Sequence, residues 1–543
     1  MVSIRVKIGK ERVQFPEGIT VGEIAGFLKE EGVFGAIVNG VEVGLDFKIN
    51  KDARIFCIKK GMWEAERIYN RTVVFLYSFC SYKVLPDKDF RVEHSISDGL
   101  YVKYKDYKIK AEDIEKIVRC MKEKIEEGCK IKGIPYEEGR QKIRKTWKEK
   151  VELLKYTYPG RIKFYEIEDY VDFSLGILFP DTSFISSFEV VPFEEGVILR
   201  FPRGKDFKIP ELTEQRHLFE VFQEYEQWLS LIGISDVVSL NEAIKRGEGN
   251  KLIAYSETLH DQKLSFISDH ILKNRDRIRL VLISGPSSSG KTTFSKKLMV
   301  HLRVNGLNPV VLSLDNYFID RDKTPKDEEG NPDFESPLAI DVKLFQEHIK
   351  KLIKGEEIEP PKFNFITGKR EKGEEKLILE KNDPVIVEGI HCLNPDLTKE
   401  IPEEKKYKIY VSALTQLNID RFNRISTHDT RLLRRMIRDS KWRNHTPYRT
   451  MVLWKNVIKG EKKYIFPFQE EADIMFNSAL VYEWPILKRY AESLLRRIRR
   501  ESEECVEAKR LLNLLSFFLI LDPKTVPSDS ILREFIGGSL FWY

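Results

Sequence analysis

Cysteine is scarce and unpatterned: six in 543 residues, with no C-x-x-C pair. That argues against a cysteine-based zinc site and against a disulfide framework, and points to a reducing cytoplasm. Long apolar runs are missing too. The longest, Leu511 to Leu521, is interrupted by Asn513 and Ser516. It is too short to span a membrane and reads as a buried helix. Met1 leads straight into the alternation Val2, Ile4, Val6, Ile8, so no signal peptide is expected. Charge of one sign hardly dominates: the net charge is +6, too small to imply wholesale nucleic-acid binding. No N-K-x-D tetrapeptide occurs, so nothing selects guanine. Apolar residues make up 42%, ample for real cores, and the length predicts about three or four domains.

The most informative segment is residues 280–292, LVLISGPSSSGKT. An apolar strand runs into Gly285, Ser287, Ser288, Ser289, Gly290, Lys291 and Thr292, which is the P-loop pattern G-x-x-x-x-G-K-[ST]. Phe294, Leu298 and Leu302 then follow at helical spacing over 293–303. Glycines let successive backbone N–H groups turn inward around phosphate oxygens, and the new helix points its positive end at the same anion. Lys291 is expected to reach the outer phosphates and Thr292 to hold Mg²⁺, with Thr293 next on the helix. From Arg277 to about Glu492, strands alternate with helices, which predicts a parallel sheet covered on both faces. Two more apolar strands end in acids, at Asp315 and Glu388. Gly285, Asp315 and Glu388 therefore all fall beyond C-terminal strand ends, where ligands bind in such sheets.

Residues 1–61 alternate short strands with one helix, and Asn39-Gly40 marks a hairpin. The pieces GITVGEIAGFL, AIVNGVEV and DARIFCI resemble a TGS domain, the β-grasp module that opens threonyl-tRNA synthetases. Residues 62–205 resemble the α+β editing domain of the same synthetases. GLYVKYKD (99–106) and VDFSLGILFPDTSFISSFEV (171–190) carry that likeness. The family's metal-binding and catalytic side chains are replaced by Tyr69, Val73, Ser174 and Leu178, so neither zinc binding nor deacylation is expected. His94 has no partner at metal spacing and reads as a structural histidine. Residues 206–275 read as a helical connector, and 493–543 as a helical C-terminal extension.

Residues 276–492 resemble the uridine kinase and phosphoribulokinase family. SLDNYF (313–318), FESPLAID (334–341), PPKFNFITGKR (360–370), VIVEGI (385–390) and DTRLLRRMIRD (429–439) carry the likeness in order. The resemblance implies an ATP- and Mg²⁺-dependent kinase acting on a nucleoside-like small molecule. Asp315 would take the hydroxyl proton and Glu388 would order the Mg²⁺ shell with Thr292. Tyr317, Glu335, Phe363, Phe365 and Arg370 would face the acceptor. Where the family places a base-reading histidine, this chain has Gly368, so the acceptor stays open. Nine Lys or Arg stand against two Asp over 421–449, and Arg431, Arg434, Arg435 and Arg438 share one helical face. Such a face is expected to repel itself unless an anion is present, and predicts a closing lid in which Arg435 aids transfer. Two other functions stay open. One is a phosphoribulokinase-like sugar-phosphate kinase. The other is a nucleotide-sensing regulator that contacts RNA or the ribosome through its first two domains.

Overall fold

The computed structural model describes all residues except Met1, Val2, Gly9, Lys10, Glu328, Glu329, Phe365, Ile366, Glu374, Gln416, Glu501 and Tyr543. Residues 3–59 build a five-stranded sheet around Ile4, Val6, Val21, Ile24 and Ile55. Its first strand (Ser3–Ile8) lies parallel to its last (Ala53–Lys59) at the centre, and the other pairs are antiparallel. Thr20 and Glu23 cap the one helix reciprocally, and Asn39 and Gly40 turn the hairpin with φ of 49° and 74°.

The next region packs the long helix Trp63–Val84 and the helix Ala111–Glu127 against a three-stranded and a four-stranded sheet. Cys80 and Cys120 form a disulfide between these helices. The sequence pattern argues against a disulfide framework, and this one bridge leaves Cys57, Cys129, Cys392 and Cys505 free. Forty residues separate the bridged pair, a spacing with no sequence signature. The pattern from Tyr136 to Tyr156 predicts one helix, but the structure has two, Tyr136–Thr146 and Lys148–Leu153, broken at Trp147. The ring of Trp147 is buried against Phe422, 5.3 Å between centroids, and this tertiary packing overrides the helical pattern. A buried Lys150–Asp172 ion pair, 2.7 Å, lies 3.7 Å from Asp420 and ties this region to the C-terminal half. One hydrophobic cluster runs through both halves without a break. Among the described residues no helix is long and apolar enough to cross a membrane.

The C-terminal half is organised on a parallel sheet. Its strands are β1 (Leu280–Ser284), β2 (Val310–Ser313), β3 (Val385–Glu388), β4 (Lys406–Ser412) and β5 (Ile474–Asn477), in the order β2-β3-β1-β4-β5. All residues of β1 and β3 are buried, as a sheet covered on both faces requires. The helices that matter to the site are α1 (Lys291–Val304), α2 (Val342–Ile353), α3 (Thr427–Trp442) and α4 (Pro447–Tyr464). The apolar run that starts at Leu511 continues a helix, Glu504–Ser516, but leaves it at Ser516.

Candidate functional site

The loop between β1 and α1 is shaped by positions that only glycine tolerates well. Gly285 has φ +152°, and a Cβ there would run into the Val411 carbonyl oxygen; Gly290, at the start of α1, has φ +92°. Ser288 is held at φ +60°. The side-chain oxygens of Ser288 and Ser289 are closed off from solvent with no hydrogen-bond partner. Lys291 is buried, and its ammonium donates to the carbonyls of Gly285 (2.9 Å) and Pro286 (3.1 Å). It is therefore folded back onto the loop, not held out from the surface.

Thr292 Oγ1 lies 3.5 Å from Glu388 Oε2, and Ser313 Oγ donates to Glu388 Oε1 at 2.7 Å. Burial, reinforced by the nearby Asp315 carboxylate, pushes Glu388 up to about 7. Asp315 follows β2 in a 3₁₀ turn, and its carboxylate makes no hydrogen bond or ion pair among the described residues. Glu335 is half-buried with Oε2 enclosed and unpartnered, and burial raises it to about 7. His391, three residues past Glu388, is buried, and burial lowers it to about 4, against the pull of the Glu335 and Tyr464 backbones beside its ring. His391 was not singled out by sequence, although a histidine just beyond an acidic strand end was a readable signal.

The basic helix corrects the sequence expectation. Arg431 and Arg434 are fully buried, and their anions come from the chain itself. Arg431 pairs with Glu461 of α4 (Nη2–Oε2, 2.8 Å), and Arg434 pairs with Glu483 (Nη2–Oε2, 2.8 Å). Both guanidinium groups also hold the P-loop: Arg431 donates to Ser287 O at 3.1 Å and Arg434 to Ser289 O at 3.2 Å. Glu461 accepts from Ser287 N at 3.2 Å. These two arginines set the shape of the loop. Arg435 and Arg438 differ. Arg435 donates to Ser287 Oγ at 2.8 Å, and burial lowers its affinity for its proton. Arg435, Arg438 and Arg443 share one carboxylate, Asp439, at 3.3, 3.1 and 3.8 Å. The carboxylates of Glu335 and Glu461 also lie close to Arg435, and that of Asp315 lies close to Arg443.

The predicted acceptor residues separate. Tyr317 is turned into the core: its hydroxyl meets His348 Nδ1 at 2.9 Å and its ring packs edge-on to Phe345. It is a packing residue, which corrects its assignment to the acceptor. Phe363 is half-buried with its ring 5.6 Å from Phe318. Phe365 lies outside the described residues. Arg370 pairs with Asp341 at 2.7 Å, and Gly368, at φ +70°, packs against Arg321.

A loop of this form at a parallel-sheet strand end defines a P-loop phosphotransferase fold. The sequence pattern of the Phosphoribulokinase / Uridine kinase family matches residues 280–482. A uridine kinase of Bacillus cereus is 30% identical over 194 residues, which are 36% of this chain and 82% of that one. Uridine kinases of Anoxybacillus flavithermus and Staphylococcus haemolyticus are each 29% identical, over 36% of this chain and 82% and 86% of theirs. The solved structure of a possible uridine kinase from Bacillus stearothermophilus is 20% identical. It covers 40% of this chain and 98% of that one, with a TM-score of 0.28. Through residues 280–482 the chain belongs to the phosphoribulokinase/uridine kinase family, and this region is a P-loop kinase domain.

Proposed function

We propose that this domain transfers the γ-phosphoryl group of ATP to a hydroxyl of an uncharged, nucleoside-like small molecule. The observation that carries the reading is the unpaired Asp315 carboxylate beside the P-loop, close enough to Glu388 and Glu335 to raise both electrostatically. Phosphoryl transfer asks for positioning and charge neutralisation more than covalent help. Lys291 exchanges its two loop carbonyls for phosphate oxygens. Arg435, already on Ser287, closes over the transferring group. The acceptor oxygen attacks phosphorus, the bond to the bridging oxygen breaks, ADP leaves, and the hydroxyl proton passes to Asp315. Thr292 Oγ1 and Glu388, within one coordination shell of each other, fit the oxygen donor set of Mg²⁺; when bound, the ion neutralises charge on the outer phosphates.

Asp315, Glu335 and Glu388 make the acceptor side acidic, which disfavours an anionic acceptor. Arg435 and Arg438, gathered on Asp439 beside the loop, favour a second reading, a sugar-phosphate kinase. A panel of nucleosides, polyols and sugar phosphates scored for ATP consumption separates them. Turnover with an uncharged acceptor supports the first reading, and turnover with sugar phosphates alone supports the second. We read the first two regions as TGS-like and editing-like modules that contact RNA. The central parallel pair of the first sheet supports the β-grasp part of that reading, and RNA affinity of the full chain tests the contact with RNA.

A further inference from the structure

The C-terminal extension does not stay clear of the kinase site. Glu534 accepts a hydrogen bond from Thr293 Oγ1 at 2.6 Å and from Thr293 N at 3.4 Å. Thr293 lies in the first turn of α1, where backbone N–H groups lack intrahelical acceptors and attract an anion. Beside it the ring of Phe535 lies over the guanidinium of Arg434, 5.1 Å from its carbon. Ile531 is seated on Gly290, where a Cβ would fall 2.5 Å from Ile531 Cγ2. Ile531, Leu532 and Phe535 are all but fully buried. The segment is also tied to itself and to α1. Arg533 donates to the carbonyls of Pro523 (3.0 Å) and Val526 (3.2 Å), and Lys297 meets Asp529 at 3.2 Å. The extension residues in these contacts all lie beyond residue 482, where the family match ends.

We propose that residues 526–536 act as a built-in pseudo-ligand that competes with the nucleotide for the P-loop. The segment offers an anion at the start of α1, a flat ring over a guanidinium and an apolar body on the loop glycine. Those are the features a nucleoside phosphate offers. A nucleotide must displace Glu534 from Thr293 before its own phosphate can use that hydroxyl and N–H. Affinity for nucleotide is then set by how readily the extension lifts away, and a partner that holds it off activates the kinase. The inference rests on the phosphate-binding role of the loop proposed above.

Two measurements on the full chain test it, using a non-hydrolysable ATP analogue with Mg²⁺ and, separately, inorganic tripolyphosphate. Hydrogen exchange in 526–536 of the unmodified protein should rise when the analogue binds. Calorimetry should show that Glu534→Gln tightens the analogue about tenfold, the size expected when one carboxylate leaves a helix N-terminus. Protection of 526–536 by the analogue would overturn the proposal, because the segment would then be a wall of the site. Unchanged or weaker affinity in Glu534→Gln would overturn it equally. If tripolyphosphate binds in a Lys291-dependent way while the analogue binds neither protein, the loop reading stands and displacement fails. If neither probe binds either protein, the loop reading itself is wrong and the inference goes with it.

Discussion

Two regions of this chain carry the outline of a site, and they differ in what has happened to their polar groups. At Tyr69 and the three positions matched with it the polar groups are closed, although Arg67 Nε and Asn70 Oδ1 on the same helix are enclosed without partners. The Tyr69 hydroxyl donates to Ser187 O at 2.6 Å and accepts from Ser187 N at 2.9 Å, while its ring packs among Phe34, Phe179 and Phe207. Val73 and Leu178 are buried, and Ser174 accepts from Gly176 N at 3.4 Å. At the other end of the same helix the trio Glu127, Cys129 and Glu168 has metal-like spacing, but Lys124 already stands 2.6 Å from Glu127 and 2.9 Å from Glu168. Around the P-loop, unpartnered atoms fall on the site positions themselves. Ser288, Ser289 and Glu335 keep enclosed polar atoms without partners. Buried polar groups are nearly always paired, so a cluster that is not marks where a ligand supplies the missing bonds.

The contrast breaks hardest at Lys291. Lys291→Ala should reduce phosphoryl transfer by about 10³-fold or more, because a preorganised cation at the transferring group is lost. Its two hydrogen bonds to loop carbonyls make the stability cost about 1 kcal/mol. Turnover assays beside thermal melting check both.

The split within α3 is the next test. Arg434→Met leaves Glu483 buried without its partner and should destabilise the domain by about 3–5 kcal/mol. Arg438→Ala, which removes a partly exposed cation, should cost about 1 kcal/mol at most. Equal losses in denaturant titrations would restore the uniform basic face that the sequence suggests.

Glu335 gives the contrast a pH dependence. Its folded value, about 7, lies above its ordinary one, so the folded state holds the proton more tightly. Stability from this group is complete at low pH and falls as pH rises through about 7. Glu335→Gln removes that fall. At pH 8 the variant should be more stable than the parent by about 2 kcal/mol, and at pH 4 the two should melt alike. A parent that instead gains stability between pH 5 and 8 relative to the variant would show that Glu335 has a cationic partner.

The smallest effect belongs to the closed region. Tyr69→Phe forfeits the Ser187 bonds and should cost about 1–2 kcal/mol with turnover unchanged. A drop in turnover would mean that the region communicates with the kinase site.

The sequence made the P-loop, α1 and the acid-tipped strands readable because each is a local pattern. Asp315, Glu388 and Thr292 fall together as strand-end residues of one parallel sheet should. The fates of the arginines were not readable, because Glu461 and Glu483 lie 30 and 49 residues away from Arg431 and Arg434. Helical spacing puts four charges on one face but says nothing of which neighbour brings carboxylates to it. Tyr317 misled for a related reason: a motif gives its residues but not their side of the turn, and this one points to His348. His94, read as structural, is held by stacking on Phe222, 3.9 Å between ring centroids, and its Nε2 has no partner. The reach of residues 526–536 back to α1 joins positions 241 apart at Thr293 and Glu534, beyond any sequence period.

The most direct test of the kinase site is Asp315→Asn, with nucleotide affinity and turnover measured on the same protein. If Asp315 takes the acceptor's proton, turnover falls by about 10²- to 10⁴-fold while affinity for a non-hydrolysable ATP analogue is unchanged. Affinity and turnover falling in parallel would contradict that role and make Asp315 a metal or structural residue.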